Sequence, residues 1–150
     1  MAGSVWGFFY GGLIDDVVME RVGFRPTRRL SAWLPGFELE ISPLVNLVPS
    51  PGAAAFGLLL ETTHVELDHV YGQLQARYVP IPVLAFDSQG GQIPALCYVV
   101  PDMVPGQAEE AHILPLLSSA EKLRFPAWYI SRIRSFLPKG NDVASKASTT

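Results

Sequence analysis

Three kinds of residue in this chain could do chemistry, and each has a plainer explanation beside it. The first is the run Tyr10-Gly11-Gly12-Leu13, which closes an aromatic stretch. Successive backbone amides in a glycine loop can hold a carboxylate without a charged side chain, and glycine lets the backbone turn and come close to a ligand. On local sequence alone an ordinary tight turn explains it equally well. The second is a pair of tyrosines, Tyr71 and Tyr78, with Arg77 between them. A phenol has an ordinary pKa of about 10. At neutral pH it donates a hydrogen bond, and it becomes a base only where a nearby cation lowers that value. Tyr71 reads either as a core aromatic with a satisfied hydroxyl or as a ligand contact. Tyr78 reads as a pocket tyrosine or as a strand aromatic on the core. The third is a set of isolated groups. His64, His69 and His112 lack metal-ligand spacing. Cys97 lies in an apolar run and is expected to be an inert buried thiol. Ser118 and Ser119 have no partnering base in sequence, and no Walker or Rossmann glycine pattern occurs. Neither a metal nor a cofactor is expected.

These residues need elements to carry them. Residues 5–10 form an apolar, aromatic strand that stops at the glycines. Residues 14–22 follow as a helix with Ile14, Val17, Val18 and Val22 on one face and Asp15 and Asp16 in its first turn. Residues 28–34 and 37–41 read as two strands around a turn at Pro35-Gly36, the second alternating Phe37, Leu39 and Ile41 with Glu38 and Glu40. Residues 42–52 contain Pro43, Pro49 and Pro51 and read as a loop, and residues 54–61 as a central strand. Thr63 and Glu66 fit a capping box opening a helix that ends at Gly72. Residues 78–86 and 93–100 are two more strands. The first carries Pro80 and Pro82, whose missing amides lie on one side, as on an edge strand or barrel rim. Helices over 113–123 and from Pro126 to about 137 close the chain. The second turns Trp128 or Tyr129, Ile130, Ile133 and Leu137 inward. This order is α+β, with a mixed sheet curled around a cavity and flanked by helices. Residues 1–137 make one domain, and residues 138–150 a small, polar, flexible tail.

Bulk properties narrow the partners. The 150 residues are 49% hydrophobic and 17% charged, enough for one domain with a real core. The net charge is -3 with no basic run, which argues against nucleic acid or an anionic membrane. No apolar run is long enough to span a bilayer. The first residues have no charged n-region, so no signal peptide is read. One cysteine permits no internal disulfide, which is compatible with a cytoplasmic location.

Taken in order, five segments resemble the γ-glutamylcyclotransferase-like family. Phe9-Tyr10-Gly11-Gly12-Leu13 is similar to its Tyr-Gly-Ser-Leu signature. Leu34-Pro35-Gly36-Phe37-Glu38-Leu39 is similar to its Gly-Tyr-x-Leu strand, and Pro51-Gly52 with Ala55-Phe56-Gly57-Leu58-Leu59 to the strand that follows. Leu67-Asp68-His69-Val70-Tyr71-Gly72, with Tyr78 six residues on, resembles its Leu-Asp-x-x-Glu-Gly...Tyr segment. The stretch from Ala120 to Ile130 resembles its closing motif. The resemblance covers residues 5 to 137, and no motif is specific alone. At the family's catalytic glutamate this chain has Tyr71, and Gly12 replaces its serine.

The resemblance implies a central cavity for a small γ-glutamyl or carboxylate ligand. Tyr10, Gly11, Gly12, Leu13 and Tyr78 are then binding residues, and Tyr71 holds the catalytic position. In the family reaction the substrate's amine attacks its own γ-carbonyl, giving 5-oxoproline and a free amine. The protein folds the substrate so that its ends meet, and the glutamate moves the protons. No other carboxylate replaces it on sequence: Glu66 caps a helix, Asp68 matches a structural position, Glu38 and Glu40 alternate away from the dry face, and Glu61 ends a strand. Three functions follow. The first is acyl transfer or cyclisation of a γ-glutamyl or related small amide, with chemistry altered at Tyr71. The second is a non-catalytic domain that binds a small carboxylate. The third is a partner-binding protein whose cavity is filled.

Overall fold

The computed structural model describes residues 3–74 and 77–138. It has five strands, β1 (Val5–Phe9), β2 (Arg28–Ile41), β3 (Val45–Thr62), β4 (Val79–Asp87) and β5 (Gln92–Val99). Four helices join them, α1 (Asp16–Val22), α2 (His64–Gly72), α3 (Glu110–Lys122) and α4 (Ala127–Ser135), with one 3-10 turn at Gly12–Ile14. The strands close into a barrel in the order β1-β3-β2-β4-β5. All neighbours are antiparallel except β1 and β5, which seal the barrel as a parallel pair at Gly7↔Leu96 and Phe8↔Cys97. The expected α+β class, with a curled sheet flanked by helices, is what the chain adopts.

Two expected breaks are not breaks. Pro35-Gly36 does not separate two strands. Gly36 takes φ 82° inside β2, and the register with β3 shifts between Pro35 and Phe37. Residues 50–53 of β3 stand against Gly36 alone, and Gly52 opposite is left-handed too, at φ 83°, so a bulge with a left-handed glycine on each strand bends the ladder without breaking either strand. The stretch from 45 to 52, expected as loop, is the first part of β3. It pairs with the far half of β2 from Ile41↔Val45 to Phe37↔Pro49. Its prolines are tolerated because β1 covers β3 only from Leu58 to Thr62, leaving the earlier part with a free edge. Pro80 and Pro82 follow the same rule: β4 meets β2 only at Phe86 and Asp87, so the half carrying both prolines is paired on one side.

Where β1 leaves the barrel it lies very close to β3. A Cβ on Gly57 would sit 2.0 Å from the Phe9 carbonyl oxygen, so only glycine lets the two backbones approach there. Phe8 and Phe9 are buried beside Leu59 and Leu60 of β3, and Leu67 of α2 packs into the same core. On the other side α4 turns Tyr129 and Ile133 fully inward and leaves Trp128 half exposed, which settles the choice between the two aromatics. Pro126 stands just outside this helix as its N-cap rather than in its first turn. No helix among the described residues is long and apolar enough to cross a membrane. The tail from 139 onward lies outside the described residues.

Candidate functional site

The glycine run sits where β1 ends. Tyr10 is buried, and its phenol donates to the Tyr98 carbonyl at 2.6 Å. This bond pins the end of β1 to β5. The chain then makes the 3-10 turn, in which the Gly11 and Gly12 carbonyls accept from Ile14 and Asp15 at 3.1 and 3.0 Å. The amides of Gly11, Gly12 and Leu13 have no acceptor among the described residues. Gly11 has φ -118° and ψ -152°, and neither glycine takes a positive φ. Backbone freedom is therefore not why glycine stands here, contrary to the sequence argument. Crowding accounts only for Gly11, whose Cβ would meet Val45 Cγ1 at 3.3 Å; at Gly12 nothing lies within 4 Å, so a side chain there would stand in open space.

Asp15 ends the turn as N-cap of α1, accepting from the Val17 and Val18 amides at 2.9 and 3.2 Å. Of the expected inward face Ile14 is buried and Val18 and Val22 line the cavity, but Val17 does not turn inward. Met19 points into the core and Val17 is 62% exposed.

Tyr71 stands on the last turn of α2. That helix begins with Thr63 Oγ1 accepting from the Glu66 amide at 3.2 Å, half of the expected capping box. The Tyr71 ring lies flat on Tyr98, with centroids 4.1 Å apart and planes at 7°. Phe9 and Tyr78 flank it at 5.7 and 5.3 Å. Tyr98 is itself held through its phenol, which donates to Asp68 Oδ1 at 3.3 Å. Tyr78 donates to the Val45 carbonyl at 2.9 Å. The Tyr71 hydroxyl makes no hydrogen bond among the described residues.

Burial first, then the neighbouring Cys97, Tyr78 and Tyr98, push the Tyr71 phenol well above the ordinary value. Burial likewise raises Tyr10. It takes Tyr78 up to about 12, and Tyr98 also to about 12 with help from the Asp68 carboxylate. A cation that would lower Tyr71 is not in place. Arg77 lines a different hollow, with Pro43, Val79 and Val100. Tyr71 is thus a neutral donor at physiological pH.

The turn and α2 face one cavity of about 420 Å³. Tyr10, Gly11, Gly12, Leu13, Tyr71 and Tyr78, the six residues singled out in the sequence, all line it. Phe9, Val18, Val22, Val45 and Leu74 add apolar wall. No aspartate or glutamate is among the lining residues. Glu38 is paired to Arg132 at 2.7 Å, Asp68 accepts from Tyr98, and Glu61 accepts from Ser4 and Thr27.

Two lining side chains escaped the sequence reading. Arg21 reaches the cavity from α1 and makes no ion pair among the described residues. Its spacing after Val18 and beside Val22 is the signal that could have placed it on that face. His112, from α3, is half-buried, and its Nδ1 is enclosed without a partner. It stands before the apolar periodicity that marks the helix, so nothing in the sequence tied it to the glycine turn. His64 and His69 are exposed, and no metal-binding cluster occurs among the described residues. Cys97 is fully buried and its thiol is pushed up to about 12 by burial, as suits an inert thiol.

No protein-family model matches this sequence, and no curated protein matches it. Solved structures do match. One described as "Gamma-glutamyl cyclotransferase" superposes with a TM-score of 0.73 at 19% identity, over 88% of this chain and 87% of that one. An uncharacterized protein from Homo sapiens gives 0.72 at 19% identity, over 87% and 86%. YkqA from Bacillus subtilis gives 0.73 at 16% identity, over 89% of this chain and 54% of its own. On these superpositions the chain has the γ-glutamylcyclotransferase-like fold.

Proposed function

We propose that this protein binds a small carboxylate in the cavity between the glycine turn and α2, and does not perform γ-glutamyl cyclotransfer by the family route. The observation that carries this reading is the make-up of the lining among the described residues: Gly11, Gly12 and Leu13, whose amides have no acceptor there, and Arg21, which has no ion-pair partner there, with no carboxylate. Amides and a guanidinium are donors suited to a carboxylate. Cyclotransfer needs a group that takes a proton from an ammonium near neutral pH. A glutamate with an ordinary pKa of about 4.3 is ionised and can accept it, whereas a phenol near or above about 10 cannot. Tyr71, raised further by burial, is a wall and a donor.

A second reading keeps the activity. His112 lines the cavity, and its enclosed Nδ1 has no partner among the described residues. With it as the proton carrier, the cavity would act on a γ-glutamyl or related small amide by altered acyl transfer. Calorimetry with small carboxylates, run beside a product assay on a panel of γ-glutamyl amines and peptides, separates the two. Saturable binding without 5-oxoproline or amine release supports the first. Turnover that disappears in His112→Ala selects the second. Absence of both binding and turnover removes both.

A further inference from the structure

We propose that the ligand is a carboxylate without a free ammonium group: an N-acylated or otherwise amine-free acid rather than an amino acid. This rests on the carboxylate-binding reading above and narrows it.

Among the described residues the cavity's lining holds no carboxylate to receive an ammonium. Its polar lining side chains are Arg21, His112, Gln73 and the phenols of Tyr10, Tyr71 and Tyr78, none of them a carboxylate. Carbonyl groups offer little compensation. Those of Gly11, Gly12 and Val45 already accept from Ile14, Asp15 and the Tyr78 phenol. An ammonium entering here would lose its hydration, find no counter-charge and share the space with a guanidinium. A carboxylate, by contrast, meets the Gly11, Gly12 and Leu13 amides and Arg21. The remaining wall, built by Phe9, Leu13, Val18, Val22, Val45 and Leu74, suits an apolar or acylated body.

The test is calorimetry on the full chain near pH 7 with matched ligands. L-Leucine is compared with N-acetyl-L-leucine and with 4-methylpentanoate, which lacks the nitrogen. L-Glutamate is compared with N-acetyl-L-glutamate and glutarate. In at least one series the amine-free acids are expected to bind tenfold or more tightly than the parent amino acid. In Arg21→Gln, an exposed position, thermal unfolding should stay unchanged while their affinity falls several-fold. Equal affinities, or tighter binding of the amino acids, overturn this inference and leave the carboxylate reading standing. Failure of all six ligands to bind overturns both. Binding that Arg21→Gln leaves untouched puts the ligand elsewhere and also overturns the inference.

Discussion

At the scale of single residues, Tyr71 can be dissected because its hydroxyl and its ring do different things. The hydroxyl has no protein partner among the described residues, whereas the ring is stacked on Tyr98. Tyr71→Phe should therefore change stability by no more than about 0.5 kcal/mol, since no hydrogen bond is broken. Carboxylate affinity should weaken if the phenol donates to the ligand. Denaturant unfolding and calorimetry on one preparation check both. Tyr71→Glu places a carboxylate in the cavity at the position the resemblance assigns to the γ-glutamylcyclotransferase-like family's glutamate. If the rest of the site is intact, 5-oxoproline should appear from a γ-glutamyl amine. A folded variant inert to every such compound would show that the cavity differs from the family's by more than this residue.

The buried phenols also make a prediction about pH. Tyr78 has a folded value of about 12 against an ordinary 10.0. Between those values the unfolded chain has lost a proton that the native chain keeps, so stability falls as pH rises. The contribution is complete below about pH 10 and is lost progressively toward pH 12, with Tyr10 and Tyr71 shifted in the same direction. Denaturation midpoints should hold flat through mildly alkaline pH and then drop. Tyrosinate absorbance should rise with the unfolding rather than before it. Ionisation of these tyrosines at their ordinary value in the folded chain would contradict the burial.

At the scale of elements, the join between β1 and β3 decides whether the glycine turn is positioned at all. Gly57→Ala puts a methyl 2.0 Å from the Phe9 carbonyl oxygen, and the two nearest atoms are both Phe9 backbone. The expected cost is about 3 kcal/mol or more, or failure to fold. Gly12→Ala meets nothing within 4 Å. It should cost less than about 1 kcal/mol yet alter ligand affinity, because its methyl enters open space beside the amides. Thermal unfolding of both variants separates the structural glycine from the one at the cavity.

The same two strands show where sequence reading works and where it stops. Apolar runs located β1 and the second half of β3, and turn chemistry located the glycine loop, because these signals are local. The Pro35-Gly36 pair was misleading: a turn and a left-handed bulge use the same residues, and only the pairing partner distinguishes them. Pro49 and Pro51 hid the start of β3 because proline excludes a strand only where both edges are paired. In α1 the expected face holds for Val18 and Val22, which line the cavity with Arg21 beside them, and fails for Val17, which is exposed while Met19 takes the core position.

At the scale of the whole molecule, the barrel brings together segments that are far apart in sequence. The glycine turn, the end of α2, Tyr78, and the first turn of α3 meet around one hollow only because β1 closes on β5. The six residues suggested by the family resemblance share that hollow. Arg21 and His112 do too: helical spacing beside Val18 and Val22 points to the first, whereas nothing local points to the second, whose place depends on packing across the barrel. A cavity of about 420 Å³ argues against the reading in which side chains fill the space.

The most direct measurement is a crystal structure of the full chain soaked with an N-acyl amino acid. The carboxylate should lie within hydrogen-bonding distance of the Gly11, Gly12 and Leu13 amides, with Tyr71 across from it. A carboxylate bound in the hollow beside Arg77, or turned away from the glycine turn toward solvent, would contradict the account.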